Sequence, residues 1–259
     1  MKIALVGDAF TDEYRIGKVE RISPEAPVPI LDVEQVEIRG GGVLNVANNL
    51  MGLGIIPTVF TITDLEFDYP IISPKECTPL VKLRLIADNH QLLRVDEPKV
   101  YLPSDLDRME YPESSDFDII AFVDYNKGVI QSGEATIVDT KKQDLSVFSG
   151  SKYLKINQGE WDCLLDKSII PNAFITQGKD GIDYYENGQF VLNSRNSVRE
   201  VIDVTGAGDT VMATMIYCLT LGICEPQRMI EIANKAAGIV VGRFGTSTIS
   251  IKELKEALA

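Results

Sequence analysis

Short apolar runs alternate along the chain with longer stretches in which apolar residues recur at helical spacing. Continuous apolar strands are typical of a parallel sheet that is buried on both faces in an α/β protein. The pattern predicts helices at residues 44–53, 211–221 and 228–241. It predicts strands at residues 3–6, 118–123, 136–138, 153–156 and 174–176. The predicted fold class is therefore α/β.

Three local signals refine this prediction. Asn187-Gly188 lies between two apolar runs and predicts a two-residue type I′ hairpin. Ser250 and Glu253 have the spacing of a capping box, which predicts the start of the last helix. A further strand is predicted at residues 198–202, directly before a glycine-rich turn. No repeat or low-complexity linker interrupts the pattern, so a single domain over residues 1–259 is expected.

Residues 15–39 behave differently from the rest of the chain. Pro24, Pro27 and Pro29 exclude a helix there and favour extended structure at an edge or lid. Residues 30–38 then alternate between apolar and polar, as in a strand exposed on both faces. The segment at about 12–40 is therefore predicted to be a β-flap that covers a site or forms a homodimer contact. The alternative is a surface excursion without a function.

Composition and charge limit the classes of function. The chain of 259 residues has a formal net charge of −13, which argues against binding to nucleic acid or to an anionic membrane. Its apolar runs are too short to cross a bilayer, and its start lacks the pattern of a secretory signal, so a cytoplasmic protein is expected. Any phosphorylated ligand must then be bound by a few local Lys or Arg side chains, backbone N–H groups and a divalent metal.

The four cysteines and the histidine do not suggest chemistry. No C-x-x-C motif occurs and the chain has one histidine, so a zinc site is not expected. The cysteines are interpreted as free, buried thiols that serve packing. His90 follows Asp88-Asn89 in a polar stretch, which favours a place at the surface or in a hairpin.

The strongest chemical signal is the sequence DVTGAGDT at residues 203–210, between a predicted strand and a predicted helix. Gly206 and Gly208 allow a tight turn whose N–H groups, with the helix N-terminus, can stabilise negative charge. Asp209 follows in the first helical turn, where a carboxylate can accept a proton from a hydroxyl that attacks phosphorus. The alternative is a structural turn in which Asp209 stabilises the helix dipole.

This octapeptide resembles the C-terminal signature of the ribokinase (PfkB) family of sugar kinases. The sequence GGGVLNVA at residues 40–47 is similar to a second family signature, and NQGE at residues 157–160 is similar to the N-x-x-E element. The resemblance implies a ribokinase-like three-layer sandwich with a mostly parallel central sheet and a small β-flap. It also implies ATP and Mg²⁺ as cofactors. No Walker-type phosphate loop is present, which excludes a P-loop mechanism.

Within this family the chain resembles the heptose kinases of ADP-heptose synthesis. The similar stretches include residues 7–29, 82–84, 91–96, 124–128 and 233–248, in the same order. The resemblance implies transfer of the γ-phosphate of ATP to the C1 hydroxyl of D-glycero-β-D-manno-heptose 7-phosphate. The chain departs from these kinases by an expected deletion around residues 55–81. No nucleotidyltransferase follows the last helix, so only the kinase step is expected.

The resemblance also implies roles for individual residues. Asp209 is the expected general base, and the N–H groups of Gly206, Ala207 and Gly208 are expected to form an anion hole. Asn157 and Glu160 are expected to act on Mg²⁺ through water. Residues expected to line the nucleotide pocket are Thr176, Gly178, Gly181, Asn234 and Gly245, with Asn157.

The acceptor side is expected to use carboxylates, glycines and one amide for the sugar hydroxyls, and cations for the sugar phosphate. The first group contains Asp8, Asp12, Gly41, Gly42 and Asn45. The second contains Arg21, Arg84, Arg94 and Lys127, each of which has a solvated surface charge as its alternative. Asp8 and Asp12 each have a helix or turn cap as the alternative, and this alternative is stronger for Asp12. For Asn45, a sugar hydroxyl is favoured over a backbone carbonyl as the partner.

Two other functions remain open at this point. One is a kinase of the same family for another sugar or sugar phosphate, because the expected deletion borders the acceptor side. The other is a non-catalytic protein that binds sugar and nucleotide without turnover.

Overall fold

The computed structural model describes residues 1–88, 90–97, 100–195, 204–243 and 247–259. Its main sheet has nine strands in the order β13-β12-β11-β10-β9-β8-β1-β4-β5. The seven strands from β11 to β5 are parallel, and β12 and β13 are antiparallel additions at one edge. The strands are β1 (Ile3–Gly7), β4 (Thr58–Phe60), β5 (Ile71–Ile72), β8 (Ile119–Asp124), β9 (Ile137–Thr140), β10 (Tyr153–Asn157), β11 (Asn172–Thr176), β12 (Ile182–Glu186) and β13 (Gln189–Ser194).

One face of this sheet is covered by helices. They are α1 (Val43–Gly52), α4 (Ala207–Thr220), α5 (Pro226–Val240) and α6 (Ile251–Leu258). Alternate residues of β1, such as Ile3 and Leu5, point into this layer and join a core with Leu44, Met215 and Ile230. Burial of this continuous apolar surface is what the helical periodicity of the sequence predicted.

The opposite face is covered almost entirely by loops. The connections at residues 61–70, 125–136 and 141–152 contain no α-helix, and α2 (Pro103–Leu106) and α3 (Gln158–Asp162) are short. The loops still bury apolar side chains against the sheet, including Ile130, Phe148 and Trp161. The sequence analysis placed a missing helix only around residues 55–81, whereas the structure has helix-free connections at several points along this face.

A second sheet of four strands forms the flap. Its order is β3-β2-β6-β7, with β2 (Ala9–Ile22), β3 (Pro29–Gly42), β6 (Val81–Ala87) and β7 (His90–Glu97). The proline-rich residues form the turn between β2 and β3, where Ser23 N donates to Val28 O. The predicted flap at about 12–40 covers only half of this sheet, because β6, which pairs with β2, lies 70 residues further along the chain.

The periodicity predictions agree with the structure within a few residues at each end. The Asn187-Gly188 hairpin and the Ser250–Glu253 capping box are both present. His90 lies exposed in the β6–β7 hairpin. The strand predicted at residues 198–202 lies outside the described residues, and the single-domain organisation stays a prediction. All four cysteines are free, but Cys163 and Cys224 are exposed, so the expectation of buried thiols is wrong for these two.

No helix of the described chain combines the length and apolar character needed to span a bilayer.

Asn49 joins three parts of the helical layer through a fully buried amide. Its Nδ2 donates to the Asn45 carbonyl of α1 at 2.8 Å. Its Oδ1 accepts from Thr210 Oγ1 of α4 at 3.1 Å and from Ile249 N before α6 at 3.2 Å. Because buried polar groups need partners, this one side chain satisfies groups on two other segments.

We expect Asn49→Leu to lower the free energy of unfolding by about 1–3 kcal/mol, because it leaves the Ile249 amide without a partner in the core and the Thr210 hydroxyl with the Gly206 carbonyl alone. Urea denaturation measures the change. Leucine is the better helix former, so a loss cannot come from helix propensity. Gln227→Leu on the exposed surface of α5 is the control, and equal stability of the two variants would contradict this account.

Candidate active site

The candidate site lies at the carboxyl ends of the parallel strands, where open α/β sheets bind ligands. Asp124 ends β8, Asn157 ends β10 and Thr176 ends β11. These ends face the start of α4 and enclose a cavity of about 410 Å³. Lining residues include Asp139, Lys155, Glu160, Gly178, Gly181, Gly206, Ala207, Gly208, Asp209 and Asn234.

The turn at the start of α4 has the geometry that its glycines predicted. Gly206 has φ of 81°, a left-handed conformation that glycine adopts without strain, and it precedes the helix. No side chain of the described residues caps this N-terminus. Ala207 N donates to Val204 O at 3.2 Å, so its N–H is not free for an anion as expected. The Gly208 N–H is not taken by any described residue.

Asp209 is buried, and both of its carboxylate oxygens accept hydrogen bonds. Asn45 Nδ2 of α1 donates to Oδ2 at 2.8 Å, and Tyr125 Oη donates to Oδ1 at 2.9 Å. Burial raises the pKa of Asp209, and the Asn45 amide, the Lys155 charge and the Tyr125 hydroxyl oppose this. The carboxylate is thus held in a fixed orientation at the mouth of the cavity.

Asn45 has a partner that the sequence analysis did not consider. Its amide contacts the Asp209 carboxylate instead of a backbone carbonyl, the alternative weighed for it. Any contact of Asn45 with a sugar stays a prediction.

Lys155 is a buried cation beside the turn at the start of α4. Its Nζ is 2.6 Å from Asp139 Oδ2, and both side chains line the cavity. Burial alone would lower the pKa of Lys155, but the Asp139 charge and hydrogen bond outweigh it and raise the pKa. A Cβ added at Gly208 would lie 3.1 Å from Lys155 Nζ. Glycine at 208 therefore lets the ammonium group approach the helix N-terminus closely.

Asp8 caps a turn in the structure, which is the alternative role considered for it. It is fully buried and accepts from the backbone N–H groups of Tyr125, Lys127 and Val129 at 2.8, 3.0 and 3.3 Å. Burial raises its pKa to about 6. In the structure its oxygens organise the loop at residues 125–129, and a contact of Asp8 with sugar hydroxyls stays a prediction.

Asp12 and Arg84 are engaged with each other. Arg84 Nη1 lies 2.5 Å from Asp12 Oδ1, and both side chains are mostly buried. Asp12 was expected to bind sugar hydroxyls and Arg84 the sugar phosphate, but each charge is instead balanced inside the flap. A buried pair of this kind is costly to break by removing one partner.

Gly41 and Gly42 pack against these same carboxyl residues. A Cβ at Gly41 would lie 2.1 Å from Asp12 Oδ2, and one at Gly42 would lie 2.3 Å from the Asp8 carbonyl oxygen. Gly42 also has φ of 62°. Both glycines are buried, and close packing accounts for the absence of a side chain at each position. Contacts of these glycines with sugar hydroxyls were expected from the sequence.

The remaining candidate cations are dispersed. Arg21 lies nine residues beyond Asp12 on β2, roughly 30 Å along the strand, so the two cannot bind one small ligand. Arg21 is 3.7 Å from Asp32, and Arg94 is 2.8 Å from Asp96, each in a largely exposed ion pair. The binding of a sugar phosphate by Arg21 stays a prediction. Lys127 is half-buried beside Asp8.

Asn157 and Glu160 form a capping box at the start of α3. Asn157 Oδ1 accepts from Glu160 N, and Glu160 Oε2 accepts from Asn157 N, each at 2.9 Å. Glu160 Oε1 lies 2.7 Å from Lys141 Nζ. No group of three or more metal-ligating residues occurs among the described residues. Because Mg²⁺ keeps much of its hydration shell, these two side chains fit it only through water.

The residues expected to bind nucleotide are brought together in the cavity. Thr176, Gly178, Gly181 and Asn234 all line it. Asn234 Nδ2 donates to Ser194 O at 2.7 Å, which leaves its amide oxygen for other contacts. Gly245 lies outside the described residues.

Four residues of the site were missing from the sequence-based candidates: Tyr125, Asp139, Lys155 and Lys82. Lys155 interrupts a strand that otherwise reads as buried on both faces, and a charged residue there signals a buried partner. Tyr125 lay within a recognised stretch, but nothing in the sequence shows that its hydroxyl reaches α4. Asp139 and Lys82 have no comparable signal.

Comparison with solved structures defines the class of fold. Ribokinase from Thermotoga maritima superposes with a TM-score of 0.73 at 16% identity, covering 100% of this chain and 99% of that one. Phosphofructokinase-2 from Escherichia coli gives a TM-score of 0.73 at 15% identity, covering 99% and 97%. At these identities the likeness establishes the fold, and the expected ribokinase-like α/β fold is confirmed.

Sequence comparison relates the chain to one family. Residues 133–253 match the pfkB family carbohydrate kinase model. The chain is 33% identical to "Bifunctional protein HldE" of Hydrogenovibrio crunogenus, over 99% of this chain and 62% of the relative. The protein of the same name from Azotobacter vinelandii is 32% identical over 99% and 63%. Residues 133–253 thus carry a match to the pfkB family of carbohydrate kinases, and the chain as a whole is similar to these two relatives.

The chain spans about three-fifths of the length of these curated relatives. Each match extends over 304 positions, more than the 259 residues of this chain. The relatives therefore carry additional residues inside the matched span, in keeping with the helix-free connections on one face of the sheet.

We expect Tyr125→Phe to raise the pKa of Asp209 further, because it removes a hydrogen-bond donor that favours the charged carboxylate. Carbon-13 NMR titration of the Asp209 carboxyl group measures the shift. Tyr217→Phe, on the same helix as Asp209, is the control and should leave the titration unchanged. An identical titration in all three proteins would show that the Tyr125 contact carries no weight.

Proposed function

We propose that this chain is a sugar kinase that transfers the γ-phosphate of ATP to the C1 hydroxyl of a heptose 7-phosphate. The observation that carries the proposal is the placement of Asp209. Its buried carboxylate lies between the cavity at the strand ends and the acceptor-side residue Asn45. The sequence resemblance to heptose kinases and the similarity to proteins named HldE support the choice of acceptor.

The cavity suits the nucleotide. Thr176 and the glycines at 178 and 181 leave room for a planar base and ribose, and the start of α4 offers its N–H groups to phosphate. Gly178 and Gly181 have φ of 57° and 92°, which only glycine adopts readily in so tight a turn. The terminal phosphate would then lie beside Gly208 and Lys155.

Asp209 would act as the general base. Burial raises the pKa of Asp209, and a carboxylate with a raised pKa accepts a proton from a hydroxyl more readily at neutral pH. Asn45 and Tyr125 hold both oxygens, so an incoming hydroxyl must replace or share one of these hydrogen bonds. The carboxylate is thereby oriented before the acceptor arrives, which lowers the reorganisation required in the transition state.

Lys155 would supply fixed positive charge to the transferring phosphoryl group. The Asp139 partner keeps the ammonium protonated and anchored despite its burial. In a protein of net charge −13, such a cation is needed to offset the charge of the nucleotide. Mg²⁺, bound through water by Asn157 and Glu160, would further neutralise the phosphate oxygens. A site of nucleotide turnover of this kind fits a cytoplasmic protein.

Asp209→Asn should lower kcat by about 10²–10⁴-fold, because it removes the positioned base. Binding of a non-hydrolysable ATP analogue, measured by calorimetry, should be retained. Release of ADP, followed in a coupled assay with a panel of sugars and sugar phosphates, measures turnover. Asp162→Asn, an exposed carboxylate of α3, is the control.

The same panel distinguishes the competing functions. Turnover with heptose 7-phosphate supports the proposal, and turnover only with another acceptor reassigns the substrate. Binding of sugar and nucleotide without ADP release in the wild-type protein would favour a non-catalytic relative. Near-normal turnover of Asp209→Asn would reject Asp209 as the base.

We also propose that the flap forms a homodimer contact. Apolar side chains of the β2–β3 hairpin are exposed, including Ile22, Val28, Val33, Val36 and Ile38. The long strand β3 is an edge of its sheet, and uncovered edges of this kind favour pairing with another chain. A second copy of the chain would cover both the edge and the apolar residues.

Light scattering should give twice the chain mass for the wild-type protein and the single chain mass for Val36→Glu, because a charge in the contact opposes burial. Ile56→Glu is the control, since Ile56 is equally exposed but lies outside the flap. A monomeric wild-type protein would contradict the proposed contact.

A further inference from the structure

One face of the flap sheet carries both aromatic and cationic side chains beside the catalytic cleft. Phe10, Asp12 and Tyr14 alternate along β2 and therefore share this face. In the adjacent strand β6, Lys82 pairs with Asp12 and Arg84 pairs with Tyr14. We call this the inner face of the flap, because Phe10 packs edge-on against Tyr125 at 5.0 Å between ring centroids.

Lys82 differs from the other cations of the inner face in having no carboxylate partner in the part of the chain that the structure describes. Arg84 is paired with Asp12, and Arg94 with Asp96. Among the described residues, no carboxylate oxygen lies within 4 Å of Lys82 Nζ, which instead lies 3.2 Å from the Phe10 ring centroid. The ammonium group is therefore a half-buried charge supported by an aromatic ring.

The position of Lys82 relates it to the proposed base through Tyr125. Its Nζ lies 5.3 Å from the Tyr125 ring centroid, and the Tyr125 hydroxyl donates to Asp209. The ammonium group and the carboxylate thus both lie beside one phenol side chain. A ligand that places a hydroxyl at Asp209 and extends along the inner face would reach Lys82 with its far end.

Among the described residues, the Tyr14 hydroxyl of the inner face also lacks a hydrogen-bond partner. Tyr14 is 3% exposed, and its buried hydroxyl has no hydrogen-bond partner among the described residues. The guanidinium carbons of Arg84 and Arg39 lie 5.0 and 5.1 Å from its ring centroid. Buried hydroxyls are rarely left unsatisfied, so this face retains the capacity to bind a ligand rich in oxygen atoms.

We propose that Lys82 recognises an anionic phosphate group at the far end of the sugar acceptor, so that the acceptor is a sugar already phosphorylated. This inference rests on the proposed kinase function. A compact ammonium group on a flexible stem suits a phosphate as a point charge. We assign the phosphates of the nucleotide to Lys155 and the α4 turn instead, because Lys82 does not line the cavity that these residues share.

The protonation of Lys82 provides a first test. Burial lowers the pKa of Lys82 to about 8, with Asp12 and Asp96 opposing and Arg84 and Arg94 reinforcing the shift. The charge is thus present below pH 8 and is lost above it. We expect kcat/KM for a phosphorylated acceptor to fall above about pH 8, and Lys82→Arg, which stays charged, to remove this fall.

The decisive experiment compares heptose 7-phosphate with the unphosphorylated heptose at saturating ATP. Lys82→Met should reduce the preference for the phosphorylated sugar, as a ratio of kcat/KM values, by about 10- to 100-fold, because a charge-assisted contact is lost. The KM for ATP should not change. Lys18→Met, an exposed lysine of the same flap paired with Glu34, is the matched control and should keep the preference.

The outcomes separate this inference from the proposed function. An unchanged preference in Lys82→Met, with wild-type turnover intact, overturns the role of Lys82 and leaves the kinase proposal standing. If the wild-type protein releases no ADP, the kinase proposal fails, and calorimetry with heptose 7-phosphate tests Lys82 directly. Equal affinity of the wild-type and Lys82→Met proteins then overturns the inference. If Lys82→Met does not fold, the pH profile of Lys82→Arg replaces it, and a fall in kcat/KM above about pH 8 that persists in Lys82→Arg overturns the inference.

Discussion

The site depends on one buried carboxylate that is shared by three parts of the chain. Asp209 lies at the start of α4, Asn45 reaches it from α1, and Tyr125 reaches it from the loop after β8. Because a charge removed from water needs partners, these contacts tie the helical layer to the strand ends. Asp8 extends the arrangement, since it holds the backbone of the loop that presents Tyr125. The position of the Asp209 carboxylate is thus determined by the fold as a whole.

The sequence predicted those features that arise from local conformation or from unbroken periodicity. The Gly206 turn, the Ser250 capping box and the parallel strands all follow from neighbouring residues. The partners of polar side chains were not predictable in this way. Asp8 and Arg84 look like ligand-binding residues in the sequence, yet the structure pairs each with protein groups that are distant along the chain. Long-range partners depend on register and packing, which no local pattern records.

The unequal layers of the sandwich show how the fold can become shorter without losing its site. The loops over the second face still bury Ile130, Phe148 and Trp161 against the sheet, so the core there persists without long helices. The cavity is formed mainly by the strand ends and α4, and two of these connections contribute Tyr125 and Lys141 to its wall. The connections without α-helices on this face are therefore compatible with the arrangement of Lys155, Asp139 and Asp209 around the cavity.

The flap is attached to the rest of the chain at several points. Described connections pass through Asp8, through the junction of Gly42 with Val43, and through residues 73–80. A sheet anchored in this way cannot swing on a single hinge, because each crossing would have to bend at the same time. Any reorientation of the flap would therefore be a collective motion of the whole sheet, which is slower than the fluctuation of a simple loop.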